Sequence, residues 1–285
     1  MKRVYLSLIA LISLVGLCSC GGSSDGSKKG DSGTNNSDRT LNISVYLDLS
    51  DRLIRDNLQP NQMYRDTAII NYLVDYFKDH TLGPNILKSK NKMKIFFYPT
   101  PNNSEITNLA QGLSVDIGEL KGIDRRKALE SMKETFQKNL GQIYQSTLED
   151  KKWVGCDIWD FFSNKTVDNL CIKDDARNIV IILTDGYIFA ENHKIKEGTA
   201  YSYILPQTLA DDTSTLIDRR NGELKGKGLE VLMLEVNPYQ VEQRDKIVKT
   251  LENWFSSMGV EKFVVAETDA NMTNTQTVIK NFLDK

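Results

Sequence analysis

The chain has 285 residues and carries 36 Lys and Arg against 38 Asp and Glu, a formal net charge of −2. No block of like charge stands out, so the electrostatic footprint of a nucleic-acid binder is absent. Only His80 and His193 are histidines, which excludes a multi-histidine metal site, and the four cysteines supply neither a disulfide framework nor a zinc spacing.

The chain opens on Lys2 and Arg3, followed by an apolar run from Val4 to Leu17 that is broken only by Ser7, Ser13 and Gly16. A charged start, a short apolar core and a small-residue exit have the form of a secretory signal. At about 14 residues the run is too short to span the roughly 30 Å hydrocarbon core of a bilayer. Residues 1–19 are therefore read as a cleavable signal. The exit, Leu17-Cys18-Ser19-Cys20, resembles the lipobox of bacterial lipoproteins, which implies cleavage before Cys20 and acylation of that cysteine. Cys18 is the poorer candidate, because bulky Leu17 would stand immediately before its cut. Two or three acyl chains hold a protein durably on a membrane. The expected location is the cell envelope, anchored by lipid to a bacterial membrane, with the outer membrane the expected one. Residues 20–39 are rich in Gly and Ser, lack apolar side chains from Gly21 to Asp38, and read as a flexible tether.

From residue 40 to 285 the pattern changes to short apolar runs between helical stripes. Strands are expected at Leu41–Leu47, Lys94–Tyr98, Asn178–Leu183, Leu229–Val236 and Lys262–Ala266, with a weaker one at Leu113–Ile117. The unbroken run Ile179 to Leu183 suits a central parallel strand covered on both faces. Helices are expected over 64–80, along the stripe Leu129, Met132, Phe136, Leu140, Ile143, Tyr144 and Leu148, from Val241 to Met258 with Gly259 as stop, and over 272–284. Alternation of strand and helix predicts an α/β fold: a doubly wound, mostly parallel sheet with helices on both faces. Segments 100–123 and 187–227 read as long connections.

Two motifs follow strands directly. Asp48-Leu49-Ser50-Asp51-Arg52 succeeds the first, and Thr184-Asp185-Gly186 succeeds the central one. Ligands of open parallel sheets bind beyond the carboxyl ends of the strands, where strand order reverses. Asp48, Ser50 and Asp185 together would suit a hard cation such as Mg²⁺ or Mn²⁺.

These motifs resemble the von Willebrand factor type A domain, whose metal-ion-dependent adhesion site uses an Asp-x-Ser-x-Ser loop, a threonine from a second loop, and an aspartate in a Thr-Asp-Gly-like turn. Asp48, Ser50 and Asp185 match three of these positions, and Val154 to Phe162 resembles the second loop and the helix after it. Two positions depart: Arg52 replaces the second serine and Cys156 the threonine, while Asp51 and Asp157 stand nearby as spare carboxylates. Arginine offers no oxygen and a thiol is a poor ligand for Mg²⁺. The residues leave three arrangements open: a cation on Asp48, Ser50 and Asp185; Arg52 paired with Asp48 or Asp185 in place of the cation; or aspartates that only cap turns. The resemblance implies a protein-binding domain whose sheet edge meets an acidic side chain of its partner.

An acidic-site hydrolase related to aspartyl-phosphate phosphatases is the competing class, although Ser50 stands where their second aspartate belongs, and a structural subunit of an envelope assembly is the third. Cys156 and Cys171 are expected to be free buried thiols, because the helix starting near Asp157 carries the chain away from Cys156. Trp153, Trp159, Phe161 and Phe162 read as packing for that helix, or as an aromatic rim to the edge.

Overall fold

The computed structural model describes residues 39–55, 59–151, 153–190, 195–197, 200–202 and 220–284, with backbone alone for 189–190, 195–197 and 200–202. The expected signal, Cys20, most of the tether and His193 lie outside the described residues.

Six strands form the sheet: β1 (Thr40–Leu47), β2 (Lys92–Phe96), β3 (Ser114–Asp116), β4 (Ala176–Leu183), β5 (Leu229–Val236) and β6 (Lys262–Glu267). Their order is β6-β5-β4-β1-β2-β3, and all neighbours run parallel except β2 and β3. This is a doubly wound α/β fold whose strand order reverses between β1 and β4.

The helices are α1 (Gln62–Thr81), α2 (Ser104–Gln111), α3 (Ile123–Asp150), α4 (Ile158–Ser163), α5 (Thr166–Cys171), α6 (Val241–Met258) and α7 (Met272–Leu283). Alternate residues of the central strands sort the helices to two faces. Ile43, Val45, Ile179, Ile181, Leu232 and Leu234 pack against α1, α3 and α7. Tyr46, Val180, Ile182, Val231 and Met233 pack against α4, α5 and α6. Phe161 and Phe162 of α4 serve as packing: Phe162 meets Trp254 and Phe255 edge-on at 5.4 Å between ring centroids. No described helix is long and apolar enough to cross a membrane.

The connection 100–123 holds α2 and the short antiparallel β3. The helix escapes the sequence pattern because only Ile106 of its eight residues is buried. Of 187–227, Phe189–Ala190 pairs with Gly155–Cys156, and Ile195–Glu197 pairs with Ala200–Ser202, both antiparallel. Cys156 and Cys171 are free and buried, separated by the turn and two helices that follow Asp157.

β5 is irregular near its carboxyl end. Its side chains alternate between the faces as far as Leu234, and then Glu235 takes φ 68° while pairing with β6 slips between Val265 and Glu267. The extra residue behaves as a β-bulge. Val236 therefore returns to the α6 face, and Glu235 is turned under α1.

Candidate functional site

β1 and β4 are neighbours, and their carboxyl ends place Asp48 beside Thr184-Asp185-Gly186. The Asp48 N–H donates to the Leu183 carbonyl at 3.0 Å, extending the ladder by one residue. The Asp48 side chain is fully buried; Oδ1 accepts from the Ser50 N–H at 2.8 Å and Oδ2 from the Thr184 hydroxyl at 2.8 Å. Ser50 caps the 3₁₀ turn Asp51–Ile54, its Oγ accepting from the Arg52 N–H at 3.4 Å. Gly186 closes the second turn at φ 94°, where a Cβ would stand 2.9 Å from Ile247 Cγ2 and 3.0 Å from Val236 Cγ1. Glycine is required there both by conformation and by space.

Arg52 is 1% exposed and turns inward beneath this edge. Its Nε donates to the Asp48 carbonyl at 3.0 Å and lies 3.6 Å from Asp48 Oδ2. Its two terminal nitrogens fork onto Asp66 of α1, at 3.3 and 2.8 Å. Asp66 also accepts from Gln62 at 2.9 Å and from the Tyr144 hydroxyl at 3.2 Å. Gln62 reaches on to Glu235 at 3.3 Å, and Arg65 grips the same carboxylate at 2.6 and 2.9 Å. A buried polar chain thus runs from β1 across α1 to the bulge of β5. Burial opposes the charge on Arg52, but Asp66 and Asp48 outweigh it and hold the guanidinium above its ordinary pKa. Burial pushes the Asp66 carboxyl up, against the pull of Arg52.

Asp185 is taken by a different arginine. Arg55 donates to Asp185 Oδ2 and to the Asn237 carbonyl, with its guanidinium 3.5 Å from the centroid of the Tyr239 ring. Asp185 Oδ1 accepts from the Tyr187 N–H at 3.0 Å. Burial and the charge of nearby Asp48, opposed by Arg55, raise the Asp185 carboxyl to about 7.

Of the remaining residues of the expected site, Cys156 and Asp51 stand beside this edge and Asp157 begins the adjoining helix. Cys156 is buried in the apolar cluster beneath α4, where burial and then Asp48 push its thiol well up. Asp157 caps α4, accepting from the Asp160 N–H at 2.8 Å. Asp51 lies at the rim, where its Oδ2 accepts from the Tyr239 hydroxyl at 3.3 Å. Arg55, Asp66, Arg65 and Glu235 belong to no motif. A signal for three participants was nonetheless present: Gln62, Arg65 and Asp66 continue the stripe Ile69, Ile70, Leu73, Val74 and Phe77 at steps of three and four.

Beside the two aspartates opens a cavity of about 180 Å³ lined by Ser50, Asp51, Arg55, Trp153, Asp185, Tyr187 and Tyr239. A hard cation needs oxygens free to coordinate it. Here both oxygens of Asp48 and of Asp185, and Ser50 Oγ, receive N–H or O–H donors, and two guanidinium groups stand among them. Among the described residues, no group of three His, Cys, Asp or Glu side chains is arranged to hold a metal ion. As arranged, this donor set suits guanidinium partners better than Mg²⁺ or Mn²⁺.

No protein-family model matches the chain, and no curated protein matches it. Solved structures do. The chain is similar to the conserved hypothetical protein BatB of Bacteroides thetaiotaomicron, at 13% identity over 86% of this chain and 100% of that one, with a TM-score of 0.38. It is similar to an aerotolerance-related membrane protein of Bacteroides fragilis, at 14% identity over 86% and 98% of the two chains, with a TM-score of 0.40. It is also similar to the pilus adhesin SpaC of Lactobacillus rhamnosus, at 12% identity over 86% of this chain and 31% of that one, with a TM-score of 0.42. At these identities and scores the likeness carries no functional argument, and the reading of the site rests on its own residues.

Proposed function

We propose that this chain is a non-enzymatic binding module, held at a bacterial membrane through an acylated Cys20, which offers the carboxyl edge of its sheet to a protein partner. The observation that carries the reading is the aromatic cavity of Trp153, Tyr187 and Tyr239 beside the Arg55–Asp185 pair. Rigid aromatic side chains around a few oriented polar groups are typical of recognition sites. In this reading Arg52 and Arg55 supply the positive charge that a cation supplies in the resembled family. Against the hydrolase alternative, the Asp48 carboxylate has no exposed surface from which to attack a substrate.

A photocrosslinking residue at Tyr239 in membrane-held protein is expected to give a discrete protein adduct, and one at Leu170, 43% exposed on α5, is not. A Trp153→Ala variant should lose that adduct, and equal crosslinking from both positions would overturn the assignment. Titration calorimetry with Mg²⁺ and Mn²⁺ is expected to show no heat. A phosphatase or esterase activity abolished by Asp48→Ala would establish the competing class.

A further inference from the structure

The opposite end of the sheet carries a second cavity, of about 490 Å³, where β1, β2 and β4 begin and α1 ends. Its lining includes Arg39, His80, Lys88, Lys90 and Arg177, and no aspartate or glutamate. Arg177 is spoken for: it forks onto Glu230 at 2.7 and 2.8 Å and donates to the carbonyls of Phe282 and Leu283. Arg39, Lys88 and Lys90 are exposed and have no acidic partner among the described residues. Among the described residues the cavity therefore carries three positive charges without an ion-pair partner at a concave polar surface, which favours an anion.

Apolar surface lies beside it. Leu87 is 66% exposed in the loop that carries Lys88 and Lys90, and Ile123 is 67% exposed at the start of α3. Arg125 ties these two segments together, donating to the Ile86 carbonyl at 2.6 Å and the Ser89 carbonyl at 3.1 Å. Basic side chains around protruding apolar ones fit the interface of an anionic bilayer better than a free anion in solution. The chain also enters the domain here, since Arg39 immediately precedes β1. An eight-residue strand is about 25 Å long, which separates this end from the carboxyl edge that holds Asp48 and Asp185.

We infer that the amino-end cavity takes the phosphate of an anionic phospholipid headgroup on Arg39, Lys88 and Lys90, with Leu87 and Ile123 entering the interface. The domain then sits on its membrane with the carboxyl edge turned outward. This inference is independent of the carboxyl-edge reading, and a domain lacking Cys20 tests it without the lipid anchor.

The described core lies between Leu41 and Leu283, so a fragment of residues 35–285 retains it. Sedimentation of this fragment with phosphatidylcholine vesicles, with and without phosphatidylglycerol, is expected to show binding to the anionic vesicles alone. Each basic side chain near such a surface contributes a factor of about five. Lys88→Ala/Lys90→Ala should therefore weaken binding about 25-fold, and Leu87→Ser should weaken it further, with thermal melts unchanged. An Asp185→Ala variant should keep vesicle binding whatever becomes of the partner crosslink, so the two ends are read separately. Equal binding to neutral vesicles, or full binding by the double lysine variant, would overturn the assignment. So would inorganic phosphate bound at the lysines without any vesicle binding, which marks a free-anion site.

Discussion

Replacing Arg52 with methionine removes the hub of the buried chain while keeping much of its volume. Arg52 and Asp66 are 1% and 0% exposed, and the guanidinium also lies 3.6 Å from an Asp48 oxygen. Removing one member of a buried ion pair leaves the other charge uncompensated and costs about 3–5 kcal/mol. A domain of this size loses about 2–4 °C in melting temperature per kcal/mol, so Arg52→Met should melt roughly 10 °C below wild type or lower. The assay is urea unfolding of residues 35–285, run as a double-mutant cycle with Asp66→Asn. The double variant is expected to recover part of the loss, because no charged carboxylate then remains at residue 66. A cost below about 1 kcal/mol for Arg52→Met, or strictly additive effects in the cycle, would refute the claim that this pair organises the edge. Arg52→Ser adds a check on the substitution of arginine for a cation. It restores an oxygen at the departed family position, so millimolar Mg²⁺ should raise the melting temperature of this variant and leave wild type unmoved.

Asp185 should impose a pH dependence of its own. Its folded pKa of about 7 lies above its ordinary value of 3.8, so between those values the folded state holds a proton that the unfolded state has lost. Stability contributed through Asp185 is therefore fully present below about pH 4 and declines as pH rises to about 7. Urea unfolding across this window should show the decline in wild type and its loss in Asp185→Asn; parallel curves would contradict it. Phe162, fully buried among Phe161, Trp254 and Phe255, should cost about 3–5 kcal/mol when replaced by alanine, as measured by chemical denaturation. Burial raises both thiols, Cys171 to about 11 and Cys156 well above its ordinary value. Neither should react with iodoacetamide at pH 8 until the protein is unfolded, and labelling of the native protein would show that the α4–α5 face opens.

Much of the architecture was legible because it follows from periodicity. The continuous run Ile179 to Leu183 could only be covered on both sides, and the stripes of α3 and α6 needed one apolar face each. The positions of Asp48 and Asp185 were legible as well, since each motif stands directly after a strand. α2 was not legible, because eight residues with one buried side chain give no measurable period. Side-chain partners were less legible still. The motifs alone offer Arg52 a choice of Asp48 or Asp185, but its strongest partner is Asp66, and Asp185 is taken by Arg55. A charged residue on a helix is ordinarily solvated. Only the continuation of the apolar stripe through Gln62, Arg65 and Asp66 hinted otherwise.

By itself, then, the sequence determined the strand and helix alternation, the edge at which two aspartates meet, and the departures Arg52 and Cys156 from the resembled pattern. These are local properties, set by side-chain period and by which residue follows which strand. The tertiary structure decided which arginine neutralises which carboxylate, that a bulge turns Glu235 beneath α1, and that Arg39, Lys88 and Lys90 gather at one cavity. Those outcomes depend on groups as far apart as Arg65 and Glu235, brought within hydrogen-bonding distance by the packing of α1 across β1 and β5. Charge pairing acts over a few ångströms in space whatever the separation along the chain, so only the folded geometry can assign it.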